Sequence, residues 1–342
     1  MTARAALLNV KDLKVHFPLP RRHPFAEAAQ VHAVDGVSFE IRRRRTFGIV
    51  GESGSGKTTT ALAVMQLIKA TSGLVEFDGT NLTELTGAAL RQARRRFQII
   101  FQDPYSSLNP RMTAGAIVRE PLELMRVGTP AERAEHVAEL FRRVGLRPEQ
   151  LALFPHQFSG GQRQRIGIAR ALASRPDLIV CDEPVSALDV AIQAQTLNLL
   201  VELQREFGLS YLFISHDLRV VQYLCDDIAV MYLGRIVELT DRANLFRRPL
   251  HPYTWALLSA VPGAGGRRRE RVRLEGDPPS PIKLPPGCRF SGRCPFVEER
   301  CRREEPPLRA VAGGQKVACH LVGDDGVGPH HAKTPLADAL SA

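Results

Sequence analysis

The stretch GESGSGKT, residues 51–58, decides how this chain folds. It fits the pattern G-x-x-x-x-G-K-[ST] and stands between a short apolar run, TFGIVG (46–51), and TTTALAVMQLIKA (58–70), whose apolar residues recur at helical spacing. Strand, glycine turn and helix follow in the order that this pattern requires. A chance glycine turn is the bland alternative, and the flanking context argues against it. Gly51, Gly54 and Gly56 let backbone N–H groups close around phosphate oxygens with no Cβ in the way. The helix that begins at Gly56 offers its positive end to the anion. Ser53, Ser55 and Thr59 belong to the same expected nucleotide seat. Lys57 is expected to reach the β- and γ-phosphates, and the Thr58 hydroxyl to ligate Mg²⁺.

Outward from the loop, LIVCDE (178–183) is an apolar strand that ends in two acids, at the sheet edge where α/β proteins place ligands. Acids often simply terminate strands. With a phosphate loop upstream, Asp182 is expected to hold Mg²⁺ through water, and Glu183 to take a proton from the attacking water or orient it. His216 closes the next buried strand, LFISHD (212–217), and is placed at the same edge as a donor to the γ-phosphate. FSGGQRQRIGIARAL (158–172) puts a serine and two glycines at the head of a helix, a second anion seat or an ordinary N-cap.

Buried strands alternating with helices, AIQAQTLNLLVELQREFG (191–208) among them, predict a parallel sheet covered on both faces. The alternating stretches LLNVKDLKVHF (7–17) and HAVDGVSFEI (32–41) predict two half-buried strands joined by a loop, and residues 111–174 read as mainly helical. No internal repeat is visible. The expected fold is α/β: a parallel P-loop core, an antiparallel β subdomain and a helical subdomain at about 105–175, all within residues 5–260. A small Pro-, Arg- and Cys-rich module follows at 261–325, and then a frayed tail at 326–342.

The 342 residues, 44% hydrophobic and 24% charged, are those of an ordinary globular chain, with no apolar run long enough to span a bilayer. No secretory h-region opens the sequence, which places the protein in the cytosol with its thiols reduced. A formal charge of +10 comes mainly from arginine, clustered at 42–45, 94–96 and 267–269. Such clusters are usually solvated faces, with an anionic partner as the sharper reading.

Six motifs in order, GESGSGKT, FQDPYSSLNP, FSGGQ, LIVCDEP, SALD and ISHD, resemble those of the ATP-binding-cassette (ABC) ATPases over roughly residues 5–260. The resemblance implies that Gln102 is the Q-loop glutamine, touching Mg²⁺ and the attacking water. Ser159, Gly160, Gly161 and Gln162 match the signature that caps ATP across a head-to-tail cassette dimer, with Phe158 where leucine is commoner. Asp189 falls in the D-loop. An aromatic near the first strand stacks on adenine in this family, which points to Phe17, with Phe25 as the alternative. Arg44 departs from the glycine usual in the turn before the P-loop strand.

More narrowly, FQDPYSSLNPR, HQFSGGQRQRIGIARAL, HPYTWALLSAVP and the tail resemble the ATPases of peptide and nickel importers, above all the second ATPase subunit of oligopeptide importers. That implies uptake of oligopeptides or dipeptides, with nickel, glutathione or another small solute as alternatives. The implied partners are a second, different cassette, two membrane permeases and an extracytoplasmic binding protein. The implied location is the cytoplasmic face of the bacterial plasma membrane, where a basic surface suits anionic headgroups. A nucleic-acid-directed cassette ATPase is the reading from another class. The chain has no long coiled-coil insertion and no tandem cassette to support it.

GCRFSGRCPFVEERC (287–301) and Cys319 hold four of the six cysteines in a module with little apolar material, the kind that needs a staple. Gaps of five, six and seventeen residues separate Cys288, Cys294, Cys301 and Cys319, wider than zinc sites favour. A [4Fe–4S] cluster accepts such spacing, and some tails of the resembling family hold one. Zinc and four free thiols are the alternatives, with His320 as a spare ligand. Cys181 and Cys225 read as small buried hydrophobes.

Overall fold

In the computed structural model, residues 6–20, 29–261, 274 and 276–330 are described. The central sheet has parallel strands formed by the fully buried runs β3 (Thr46–Val50), β7 (Leu178–Asp182) and β8 (Ser210–Ser215). These are flanked by β6 (Phe97–Ile100) and β9 (Asp227–Tyr232) in the order β9-β3-β8-β7-β6. Successive side chains of each strand enter opposite cores, as the period of two demands. Ile49, Val180 and Leu212 face one core, and Val50, Cys181 and Phe213 face the other. Cys181 and Cys225 are fully buried, and burial pushes both thiols up, as expected of inert packing groups.

The first core also holds the antiparallel subdomain. There β1 (Ala6–Pro18) pairs with β2 (Gln30–Arg42) and with β4 (Ser72–Phe77), and the short β5 (Thr80–Asn81) completes the sheet. The second core holds the helical subdomain: α3 (Ala114–Leu124), α4 (Pro130–Arg143) and α5 (Gly160–Leu172). Thr129 and Glu132 close a capping box at the head of α4 and fix where it starts.

The P-loop helix α1 (Lys57–Val64) is shorter than the apolar pattern to residue 70 suggests. Gln66 takes a left-handed backbone conformation (φ 54°) that ends it, and its side-chain amide donates to the Ala63 carbonyl. Arg44 is also left-handed (φ 60°), the conformation that favours the glycine usually found there. Its N–H is held by the Ser210 hydroxyl at 2.8 Å.

The cysteine region does not stand apart from the cassette. Strand β10 (Arg235–Asp241) runs antiparallel to β9, and β12 (Lys316–Val317) pairs with β10 in the register Glu238 to Val317. The short β11 (Arg309–Ala310) completes an eight-stranded sheet. Between them, α9 (Pro252–Ser259) follows the HPY sequence and buries Tyr253. The arginine cluster at 267–269, Phe25 and the tail from 331 onward lie outside the described residues.

Candidate active site and cysteine pocket

The loop between β3 and α1 is folded as its glycines allow. Gly56 has φ 103°, and a Cβ there would lie 2.2 Å from the Ala33 carbonyl oxygen; at Gly51 it would lie 2.1 Å from that of Met231. The loop is therefore pressed against β2 and β9 with no room for a side chain. Lys57 is buried, and its Nζ donates to the carbonyls of Gly51 and Glu52 at 3.0 and 2.9 Å. Burial holds its pKa below the usual lysine range against the pull of Glu183, Asp182 and Glu52.

Across the loop, the Thr58 hydroxyl donates to Asp182 Oδ1 at 2.9 Å. Burial, with Glu183 adding to it, keeps the Asp182 carboxyl above the usual carboxylate range although Thr58 and Lys57 oppose the shift. A hydroxyl and a buried carboxylate side by side are the oxygen donors that hard Mg²⁺ takes, so this pair would hold the ion. Glu183 follows in a left-handed conformation (φ 47°), with its N–H on the Ile214 carbonyl. That twist is a feature no sequence pattern announced. Its Oε2 accepts from Gln102 Nε2 at 3.1 Å and lies 3.1 Å from His216 Nδ1. Three residues drawn from distant motifs therefore meet on one carboxylate.

The signature lies elsewhere. The Ser159 hydroxyl accepts from the Gln162 N–H and the Gln162 side chain accepts from the Ser159 N–H, a closed capping box that gives Gln162 a local task. Around Gly160 and Gly161 come Leu188, Tyr105 and Ile192 rather than the P-loop. Asp189 caps α6 (Val190–Phe207) through the Ile192 N–H. Phe17 stands near the end of β1 opposite Val31, 42% exposed, on the hairpin that backs the P-loop.

The four tail cysteines gather around one small cavity, also bordered by His251, Phe290 and His320. Burial pushes the Cys294 thiol up to about 11 and that of Cys319 up to about 12; Cys288 is raised as well. Against this, backbone N–H groups of Phe290 and Ser291 reach Cys288, that of Phe296 reaches Cys294, and that of Leu321 reaches Cys319. Such donors stabilise thiolate. No three of the four sulfurs lie within 4.8 Å of one another. A single tetrahedral zinc with bonds of about 2.3 Å would need them about 3.8 Å apart. His320, at the same cavity, pairs its Nε2 with the Glu304 carbonyl at 3.0 Å.

Sequence reasoning did not find Arg289, Arg293 or the task of the HPY tyrosine. Arg289 is 5% exposed and binds Asp35, Glu305 and the Leu233 carbonyl. Arg293 ion-pairs with Glu52 inside the phosphate loop, and Tyr253 Oη accepts from the Glu52 N–H. Only the arginines inside a cysteine-rich run hinted at this.

A phosphate loop facing an acidic pair, Asp182 buried and Glu183 half-buried, at the edge of a parallel sheet defines a P-loop nucleoside triphosphatase. Residues 34–186 match the family described as ABC transporter, and residues 237–301 match the oligopeptide/dipeptide transporter C-terminal region. The chain is 51% identical to a probable peptide ABC transporter ATP-binding protein of Sinorhizobium fredii, over 92% of this chain and 90% of that one. It is 49% identical to the oligopeptide transport ATP-binding protein AppF of Bacillus subtilis, over 94% of this chain and 99% of that one. Among solved structures, a dimeric ATP-binding cassette in a post-hydrolysis state bound to ADP and Pi matches with a TM-score of 0.61 at 28% identity, over 69% of this chain and 98% of that one. A component of the ABC transporter complex cbiONQ of Clostridium perfringens gives 0.60 at 25% identity, over 71% and 91%. The chain belongs to the ABC transporter ATPases, in the branch that carries the oligopeptide/dipeptide C-terminal region.

Proposed function

We propose that this chain is the ATP-hydrolysing subunit of a peptide importer and that Glu183, Gln102 and His216 form its hydrolytic centre. The observation that carries the reading is the convergence of Gln102 and His216 on Glu183 Oε2, beside the Thr58–Asp182 pair. Gly51 to Thr59 cradle the phosphates of ATP, and Phe17 stacks on adenine. Thr58 and Asp182, with Gln102, would hold Mg²⁺, which when bound neutralises charge developing on the phosphates. Glu183 takes the proton of the attacking water, Gln102 orients that water, and His216 donates toward the γ-phosphate.

Ser159 to Gln162 serve the nucleotide of a second cassette, which accounts for their distance from this chain's own loop. The partner cassette is a different chain, and Asp189 lies at the contact between the two. Phe101 and Tyr105, on the segment that carries Gln102, expose apolar surface where a permease helix can rest and feel the site. Among the described residues no helix is long and apolar enough to cross a membrane. Permeases hold the chain at the bilayer, on the cytoplasmic face. An extracytoplasmic binding protein delivers the cargo. Cys288, Cys294, Cys301 and Cys319 would hold a [4Fe–4S] cluster as a structural staple.

The test is reconstitution of this chain with the second cassette and the two permeases in lipid vesicles, with binding protein supplied outside. ATP hydrolysis inside that rises with peptide-loaded binding protein, together with uptake of labelled peptide, is the expected result. Stimulation by nickel or glutathione alone would overturn the peptide assignment.

A further inference from the structure

The cysteine module reaches into the phosphate loop and holds one of its residues from several sides. Arg293, the residue before Cys294, places Nη1 and Nη2 at 2.8 and 3.2 Å from the two carboxylate oxygens of Glu52. Tyr253 Oη accepts from the Glu52 N–H at 2.9 Å, and the Glu52 carbonyl takes the Lys57 ammonium. Side chain, N–H and carbonyl of a single loop residue are thus all engaged, two of them by groups that lie after residue 250.

The connection back to the cysteines is packed throughout. Phe290 borders the cysteine cavity, and its ring lies 5.3 Å from that of Tyr232 and 5.5 Å from that of Tyr253. The Arg293 guanidinium sits 5.9 Å from the Tyr232 ring centroid and is 9% exposed. A close-packed wall of this kind transmits displacement rather than absorbing it.

Electrostatics gives the contact its consequence. GESGSGKT carries one carboxylate, Glu52, in a loop whose task is to gather the negative charge of a triphosphate. An uncompensated Glu52 would repel that charge, and Arg293 is the cation that neutralises it. We propose that Arg293 is a positioning residue for nucleotide binding: by fixing and neutralising Glu52, it lets the cysteine module set the affinity of the phosphate loop for ATP. The inference rests on the reading of Gly51 to Thr59 as the ATP seat.

The experiment titrates the full-length chain with N-methylanthraniloyl-ATP and Mg²⁺, using wild type, R293Q, R293K, E52Q and the double variant E52Q/R293Q, with K57A as the control for the seat itself. R293Q is expected to bind about five- to tenfold more weakly, with R293K recovering part of the loss. E52Q/R293Q should return to within about threefold of wild type, because its loop no longer carries an unpaired carboxylate. In the assembled transporter the same change should raise KM for ATP and leave kcat nearly unaltered. If R293Q does not fold, R293K and E52Q carry the comparison, with weaker binding expected for R293K and tighter binding than wild type for E52Q, whose loop loses the carboxylate and keeps the Arg293 cation. Affinity in R293Q within twofold of wild type would overturn the inference, and so would a double variant as weak as R293Q. Equal binding by K57A and wild type would instead sink the assignment of the ATP seat.

Discussion

His216 Nδ1 stands 3.1 Å from Glu183 Oε2, although 33 residues separate the two along the chain. The carboxylate can only accept there, so the imidazole presents N–H to it, and Gln102 donates to the same oxygen. Both neighbours therefore hold the Glu183 side chain in one orientation. Glu183→Gln keeps the shape and removes the base. ATP hydrolysis by the assembled transporter should fall by about 10²- to 10⁴-fold, measured as phosphate release, with ATP binding retained. His216→Ala should lower the rate as well, since it takes away one of the two groups that orient the carboxylate.

Thr58 and Asp182 already lie at hydrogen-bond distance across the loop, and burial raises the Asp182 pKa. A cation placed between them relieves that unfavourable charge. Thr58→Ala removes one ligand, so the Mg²⁺ concentration for half-maximal hydrolysis should rise about tenfold or more. Asp182→Asn should shift it further, because it removes the charge as well. Hydrolysis followed against Mg²⁺ at saturating ATP reads both effects.

Much of this was legible in the chain itself, for definite reasons. The strands TFGIV, LIVCD and SYLFIS are buried on both faces, and continuous apolar runs announce that. The short β6, with two of its four residues half-buried, and β10, whose apolar run is broken by Glu238, carry no comparable signal, and only pairing defines them. Glu183, His216 and Gln102 were found because motifs fix their places. The left-handed turn at Glu183 and the salt bridge from Arg293 to Glu52 were not, since 241 residues separate the latter pair and no local pattern encodes a long-range contact. For the same reason the cysteine module read as an appendage, although β12 adds to the main sheet.

Arg289 and Asp35 tie that module to the antiparallel subdomain. Burial pushes the Asp35 carboxyl up, but Arg289, with His16 and Arg235, outweighs burial and leaves it below its usual range. A carboxyl depressed in the fold adds stability above its unfolded pKa of about 4 and loses it as pH falls through the folded value. Arg289→Gln leaves Asp35 charged in a buried place, so unfolding in urea at pH 7 should show a loss of about 3 kcal/mol. In the variant burial raises the Asp35 pKa, so acid neutralises the stranded charge. The gap from wild type should therefore narrow toward pH 4. A gap that stayed constant across this range would mean that Arg289 contributes through packing alone.

Cys288, Cys294, Cys301 and Cys319 border one cavity, three of them with backbone N–H groups directed at sulfur. Protein purified without oxygen should be brown and hold about four iron and four sulfide per chain. Cys301→Ser and Cys319→Ser should lower that content together, because a cubane bound by three thiolates is less tightly held. Loss of the staple should also loosen β12 from β10, seen as faster hydrogen exchange at Ala318, whose N–H donates to the Val237 carbonyl at 2.8 Å. Colourless protein with one zinc per chain would replace the cluster by a mononuclear site and would require the four sulfurs to close to about 3.8 Å. Protein with neither metal would leave free thiols, of which burial holds Cys288, Cys294 and Cys319 protonated and inert at pH 7.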